Sequence, residues 1–471
     1  MALIAAFLAS AVASFALSLL VAACLGPDGF GRYAIAASLA TALSLGLFEW
    51  LRLSTTRFAY HSADAGVRLA LDRGYAAMAA VGLALAATVA LGVADVLGLS
   101  SGLLVGVAGA ALALGFFEYR AALARARFDD KAYLQLTLAR ALGGFGLAGA
   151  AAWLTREPAL VLAASAAATM AAAASARSAP AVSGEAAAAP RLGPHLSTFA
   201  RYGLPLVAAA TAYQAIPLLN ASVLAARSGF AEAGYFSLGG EIGMRLLQNL
   251  GFALDLALFQ LAVRAERRGR ADAERQLGRN LATVTALILP SGLGLWLVWP
   301  SFEVVFLPAA FHGRTASAVG PLLAGLVAFT LGQYALGPYF QLRRRTLPVV
   351  VAALAALALD IGLLLAPLDL DTPAELASAQ AAAFGAGLLA LGGSALAAGA
   401  RLPWRDLVGA CAAAGAMAAA LTPWREAAPG SAILIAQVAA GAAVYGSVAV
   451  ALDVAGARTW LAARRGPRPM A

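Results

Sequence analysis

The residues of this sequence able to do chemistry are charged and amide side chains set inside otherwise apolar stretches. The stretch Tyr235–Val263 holds Glu241, Arg245, Gln248 and Asp255. At about 100° per residue these four fall within an arc of about 80°, a polar stripe on an apolar helix. Arg245 lies about 15 Å along that helix from Tyr235. A guanidinium held away from water can take phosphate oxygens bidentately. Glu241, one turn earlier, can instead neutralise it, and the two readings can coexist. Arg140 has no carboxylate three or four residues away in sequence, so it either lines a cavity or snorkels to an interface. Asp360 stands alone in the apolar run 356–364, where a carboxylate reads as a proton or sodium relay or as a structural cap. Glu49 can face a cavity entrance, whereas Arg52 and Arg57 beside it read as snorkelled, and Glu118 with Arg120 as interfacial. Tyr213, Gln214 and Asn220 share a stretch with Pro205 and Pro217. Proline removes a backbone donor and kinks a helix, which makes this stretch the first candidate for a moving element. No catalytic constellation is present. Three histidines and two cysteines, Cys24 and Cys411, have no metal-ligand spacing, so neither a metal nor a cofactor is expected.

The elements that position these residues are membrane spans. Apolar residues make up 62% of the 471 and charged residues 12%, against about 45–50% and about 25% in soluble domains. Runs of about 20 apolar residues suffice to cross a bilayer, and about fourteen occur. Spans 1 to 6 are read at Ala2–Leu25, Ala34–Leu51, Gly74–Val96, Gly102–Tyr119, Tyr133–Leu154 and Ala159–Ala176. Spans 7 to 10 are Gly203–Ala226, Tyr235–Val263, Leu281–Phe306 and Val319–Phe340. Spans 11 to 14 are Pro348–Leu365, Leu376–Ala398, Leu407–Leu421 and Ala432–Leu452. Of the 33 Lys and Arg residues, only Arg32, Arg156, Arg227, Arg314 and Arg425 follow odd-numbered spans, and Arg140 and Arg245 lie within spans. All the others follow even-numbered spans or sit in the C-terminal tail. Basic loops stay cytoplasmic, so both termini are expected in the cytoplasm of a bacterial inner membrane. The same distribution turns aside a nucleic-acid reading of the +9 net charge, because the basic runs Arg264–Arg279 and Arg343–Arg345 sit where topology requires them. Val21–Cys24 loosely resembles a lipoprotein cleavage site, but the long run before it lacks a basic start and reads as an uncleaved span.

The expected fold is all-α and polytopic: a six-helix bundle over 1–176, a cytoplasmic Ala/Pro-rich linker over 177–201, a second six-helix bundle over 202–400, and two extra helices with a basic tail over 401–471. External loops are short. The acidic cluster Asp369, Asp371 and Glu375 is too small a loop for a glycosyltransferase or polymerase site, so no enzyme is expected. The turns Gly29–Tyr33 after span 1 and Gly229–Tyr235 after span 7 echo each other. Six crossings separate spans 1 and 7, so the two units would enter the membrane in the same direction, as in parallel repeats.

Leu25-Gly26-Pro27-Asp28-Gly29-Phe30-Gly31-Arg32-Tyr33 resembles the first external turn of polysaccharide flippases of the multidrug/oligosaccharidyl-lipid/polysaccharide exporter superfamily. Arg201-Tyr202-Gly203-Leu204-Pro205 opening span 7 and the Gly229–Tyr235 turn match as well. Phe259-Gln260 stands where the family has Phe-Pro, with Gln260 in place of proline. The resemblance covers essentially the whole chain and implies two bundles around a V-shaped cavity. It implies transport of a lipid-linked oligosaccharide from the cytoplasmic to the external leaflet, with membrane lipids and other glycan-assembly proteins as partners. Arg140, Arg245, Glu241, Gln248, Tyr213, Gln214 and Asn220 would bind substrate, and Asp360 and Glu49 would couple an ion. A cation-coupled drug antiporter of the same superfamily and a membrane scaffold of glycan assembly stand as alternatives. An antiporter would prefer acidic and aromatic cavity residues.

Overall fold

A computed structural model of the chain describes residues 2–58, 65–92, 98–175, 192–343 and 345–459, and every long element among them is a helix. The chain is an all-α polytopic membrane protein. Helices satisfy their own backbone groups, which is what lipid demands of a spanning segment. Among the described residues, eleven helices are long and apolar enough to cross a membrane. The first, Ala2–Phe58, carries spans 1 and 2 on either side of a break at Gly26 (φ 67°, ψ 178°). The others are Ser101–Ala126, Pro158–Ser175, Pro194–Ser228, Phe230–Glu266, Arg270–Phe306, Ala316–Leu342, Leu347–Leu365, Pro373–Ala397, Trp404–Arg425 and Ser431–Ala451. These match spans 4 and 6 to 14. Expected spans 3 and 5 are the helices Ala65–Gly92 and Asp130–Thr155, the second interrupted by Arg140. The linker as far as Arg191, the end of span 3 and the tail after Thr459 lie outside the described residues.

Two expectations about breaks are corrected. The span 7 helix runs unbroken from Leu192 to Ser228 through both Pro205 and Pro217, so residues 192–201, assigned to the linker from sequence, are its first turns. Each proline withdraws one donor, and a membrane helix absorbs that by local adjustment. The irregular backbone is elsewhere, at Gly26 and in a π-turn over Gly332–Leu336 within span 10. The turn after span 1 is also tighter than expected. Gly26 alone is non-helical, and Gly29–Tyr33 already belong to the next helix.

The chain forms two compact units, Met1–Ser237 and Leu238–Ala471. In the first unit the broken helix packs against spans 4, 5, 6 and 7, and contacts sort the helix ends into two sets. Arg32 donates to the carbonyl of Gly98 (3.1 Å) and Gly29 faces Pro158, which brings the turns after spans 1, 3 and 5 together with that after span 7 at Phe230. At the other ends, Ser54 donates to the Phe199 carbonyl (3.4 Å), and a Cβ on Gly203 would lie 2.7 Å from the Trp50 Cα. Odd turns thus meet at one end and even-numbered ends at the other, as a serpentine bundle requires. In the second unit span 10 packs on span 12, span 11 on span 12, and spans 13 and 14 on each other and on span 9.

The arginines of the odd-numbered turns have structural work. Arg32 pairs with Asp28 (3.0 Å) and lies 4.0 Å over the Phe230 ring. Arg156 ends its helix in the left-handed conformation (φ 53°). Arg425 stacks 4.2 Å from the Trp296 ring.

Candidate functional site

In the first unit, charges from three spans gather. Arg52 and Glu49, one turn apart on span 2, share two contacts, one of them Nε to Oε2 at 2.6 Å. Glu118 on span 4 acts electrostatically on Arg52 and pairs with Arg140 of span 5 at 3.7 Å. The Arg140 guanidinium also lies 4.7 Å over the Phe117 ring. One wall of the group is aromatic: Phe48, Tyr75 and Tyr119 stack at 5.7 and 4.1 Å, and the Tyr119 hydroxyl donates to Asp72. The sequence offered no partner for Arg140 along its own helix, and the structure supplies Glu118, while Arg52 is half-buried in its pair with Glu49. Each partner of Arg140 comes from a neighbouring helix, where a search along its own helix does not look. The two arginines and two glutamates balance. An anion reaching Arg140, 40% exposed, would exchange a carboxylate for its own oxygens.

In the second unit the polar stripe of span 8 forms as expected. Arg245 Nε donates to Glu241 Oε1 at 3.1 Å, with a second contact through Nη2. Both side chains are about a third exposed (33% and 31%), and Gln248 and Asp255 are half-buried. The adjoining face of the helix is closed against span 10. Gly239 meets Val319, Gly243 meets Leu323 and Leu326, and Gly251 meets Thr330 and Tyr334.

Tyr213 and Gln214 are half-buried on span 7. Asn220 is fully buried, and its amide donates to the Ile216 carbonyl one turn earlier (2.9 Å). Asp360 is fully enclosed (0% exposed). Among the described residues no group of three His, Cys, Asp or Glu could hold a metal ion. In the acidic loop before span 12 Glu375 accepts from the backbone N–H of Asp371 (3.0 Å) and Thr372 (2.9 Å), closing a capping box with Thr372 at the start of that helix. Tyr334, brought onto span 8 by the π-turn, was missed from sequence. Its signal is Pro338 four residues on, which lacks the N–H that the Tyr334 carbonyl would need.

Comparison with solved structures places the fold. A structure described as "Lipid II flippase MurJ, inward closed conformation" is similar over 98% of this chain and 99% of that one, with a TM-score of 0.73 at 12% identity. The two chains share one fold over nearly their whole lengths. A structure described as "Inward-facing conformation of a multidrug resistance MATE family transporter of the MOP superfamily" is similar over 83% of this chain and 94% of that one, with a TM-score of 0.50 at 14% identity. At such identities the likeness is one of fold, and function has to be argued from the site. No protein-family model and no curated protein sequence matches the chain.

Proposed function

We propose that this protein is a transporter that flips lipid-linked oligosaccharide or polysaccharide repeat units from the cytoplasmic to the external leaflet of a bacterial inner membrane. Both termini lie in the cytoplasm in this reading, and the product serves surface polysaccharide synthesis. The observation that carries it is the Arg245–Glu241 pair, a third exposed in the middle of an apolar span. The phosphate or pyrophosphate of a lipid-linked glycan must leave bulk water during transfer, and unpaired it would cost many kcal/mol. Arg245 offers it bidentate donors. Glu241 holds that guanidinium when no anion is bound, which keeps the site weak enough to release its load. Arg140 with Glu118 repeats the arrangement in the first unit. Half-buried Tyr213, Gln214 and Gln248 suit the hydroxyls of a sugar chain. The fold shared with a protein described as a lipid flippase supports the same reading.

The test is Arg140→Ala, Arg245→Ala and their combination, measured by surface glycan and by lipid-linked glycan in the inner leaflet. Export should stall with the protein still in the membrane, and Arg245→Lys should rescue only in part, because a point charge loses the bidentate geometry. Normal surface glycan from the double variant would overturn the headgroup role. Loss of cationic-dye efflux with normal glycan would favour the antiporter.

A further inference from the structure

Glu241, Glu49 and Glu118 each have an arginine within 4 Å. Asp255, on the same stripe as Glu241, has none. Among the described residues no basic side chain pairs with it, although it sits half-buried on an apolar helix beside exposed Phe252 and Leu256. What does approach it is Tyr334 of span 10, which interacts with it electrostatically. That approach is built by the backbone of both helices. Gly251, one turn before Asp255, leaves a notch that the Tyr334 ring fills, and a Cβ there would also lie 2.9 Å from Thr330 Cγ2. The π-turn over Gly332–Leu336 carries Tyr334 at its centre. Such turns insert a residue into a helix and redirect a side chain, and they are frequent at functional sites.

We propose that Asp255 is a proton-binding carboxyl, positioned by Tyr334, that takes a proton from water and returns it to water as the transporter works. This rests on the transport reading above only for its role, not for its chemistry. A carboxylate with low-polarity neighbours and no cationic partner is stabilised by becoming neutral. From span 10, Tyr334 interacts with it, and Thr330 packs beside Gly251, one turn earlier. From span 9, Asn280 donates its amide to the carbonyl of Leu258, three residues after Asp255 (2.8 Å), and its oxygen accepts from Gln276 (2.9 Å). On its own helix, Gln248 lies two turns back and Arg245, engaged by Glu241, about 15 Å back. The role follows from charge. Glu241 and Arg245 cancel, so the stripe is neutral when Asp255 carries a proton and has one net negative charge when it does not. Protonation therefore removes the repulsion that an approaching phosphate would meet at Arg245.

The experiment is infrared spectroscopy of the purified full-length protein in lipid nanodiscs, titrated with acid and base in the absence of sodium. The wild type should show the carbonyl band of a protonated carboxylic acid at neutral pH, and Asp255→Asn should lose that component. Asp255→Glu should restore a shifted band, which guards against a misfolded Asn variant, and Tyr334→Phe should move both band and titration midpoint. Identical spectra from wild type and Asp255→Asn would overturn the proposal. So would a band that sodium displaces at constant pH, which would make the site a metal-cation site. No substrate enters this measurement. A surviving band in a protein that fails the glycan assay would leave the proton site standing and remove only the flippase reading.

Discussion

Gly31 and Gly234 meet backbone to backbone, each filling the space that a side chain on the other would need. A Cβ on Gly31 would overlap the carbonyl of Phe230, and a Cβ on Gly234 would overlap the carbonyl of Pro27. The contact is reciprocal. Gly26 and Gly229 are the left-handed breaks (φ 67° and 95°) that end spans 1 and 7. Pro27 and Phe230 each follow the break directly, and Gly31 and Gly234 each come five residues after it. Two copies of one turn thus pack on each other as a self-complementary pair, the relation that a two-fold axis generates. Arg32 reinforces the contact through the Phe230 ring and the Gly98 carbonyl.

This geometry makes alanine at either glycine a test of the turn pair. The atom that the new methyl meets is backbone, which cannot rotate away, so Gly31→Ala or Gly234→Ala should cost about 1–3 kcal/mol by overpacking. Gly46→Ala and Gly385→Ala, where a Cβ meets nothing within 4 Å, should be tolerated. Thermal unfolding of the purified variants in one detergent separates the two classes. Equal melting of all four would remove the turn pair as a stability element.

The second prediction separates structure from transport at Arg140. Its pair with Glu118 is long (3.7 Å) and both side chains are at least a third exposed, so the coupling in a double-mutant cycle should be below about 1 kcal/mol. Glu118→Gln combined with Arg140→Gln should therefore restore any stability lost by Arg140→Gln alone. Export should remain stalled in the double variant, because the phosphate has lost its guanidinium. If neutralising both residues rescued export, Arg140 would be reduced to a partner for Glu118.

How much was legible in the sequence depends on whether an interaction runs along one helix or between two. Glu241 and Arg245 are four residues apart, and their pairing follows from helical spacing alone. The spans follow from apolar runs, and the echo of Gly229–Tyr235 in the first turn was visible, though its register is set by Gly26 and not by Gly29. The pairing of Arg140 with Glu118 joins separate spans, and the enclosure of Asp360 depends on neighbours whose faces no single-sequence pattern specifies. The π-turn was hidden for a different reason. Pro338 marks a lost donor, but the same residue in span 7, at Pro205 and Pro217, leaves the helix unbroken.

Asp360 supplies the third prediction. It is fully enclosed on span 11, so an ion could reach it only as the helices part. If it couples an ion, Asp360→Asn should reach the membrane and lose the dependence of transport on the ion gradient. Gradient-dependent transport like that of the wild type would leave Asp360 a structural residue.

The last prediction concerns orientation, on which the direction of transport depends. The turns after spans 1, 3, 5 and 7 gather at one end of the first unit, and the charge distribution assigns that end to the outside. Ser228 and Ser317 are exposed and follow spans 7 and 9. Ser197 is exposed and Thr346 half-buried, and they precede span 7 and follow span 10. Cys24 is half-buried and Cys411 exposed, so both must first be replaced to give a silent background. Cysteines at Ser228 and Ser317 should then react with an impermeant thiol reagent added to intact cells. Those at Ser197 and Thr346 should react only after the membrane is opened. Because Thr346 adjoins Arg343–Arg345, labelling there from outside would place three arginines on the external face. That would reverse the assignment of every loop and the proposed direction of transport with it.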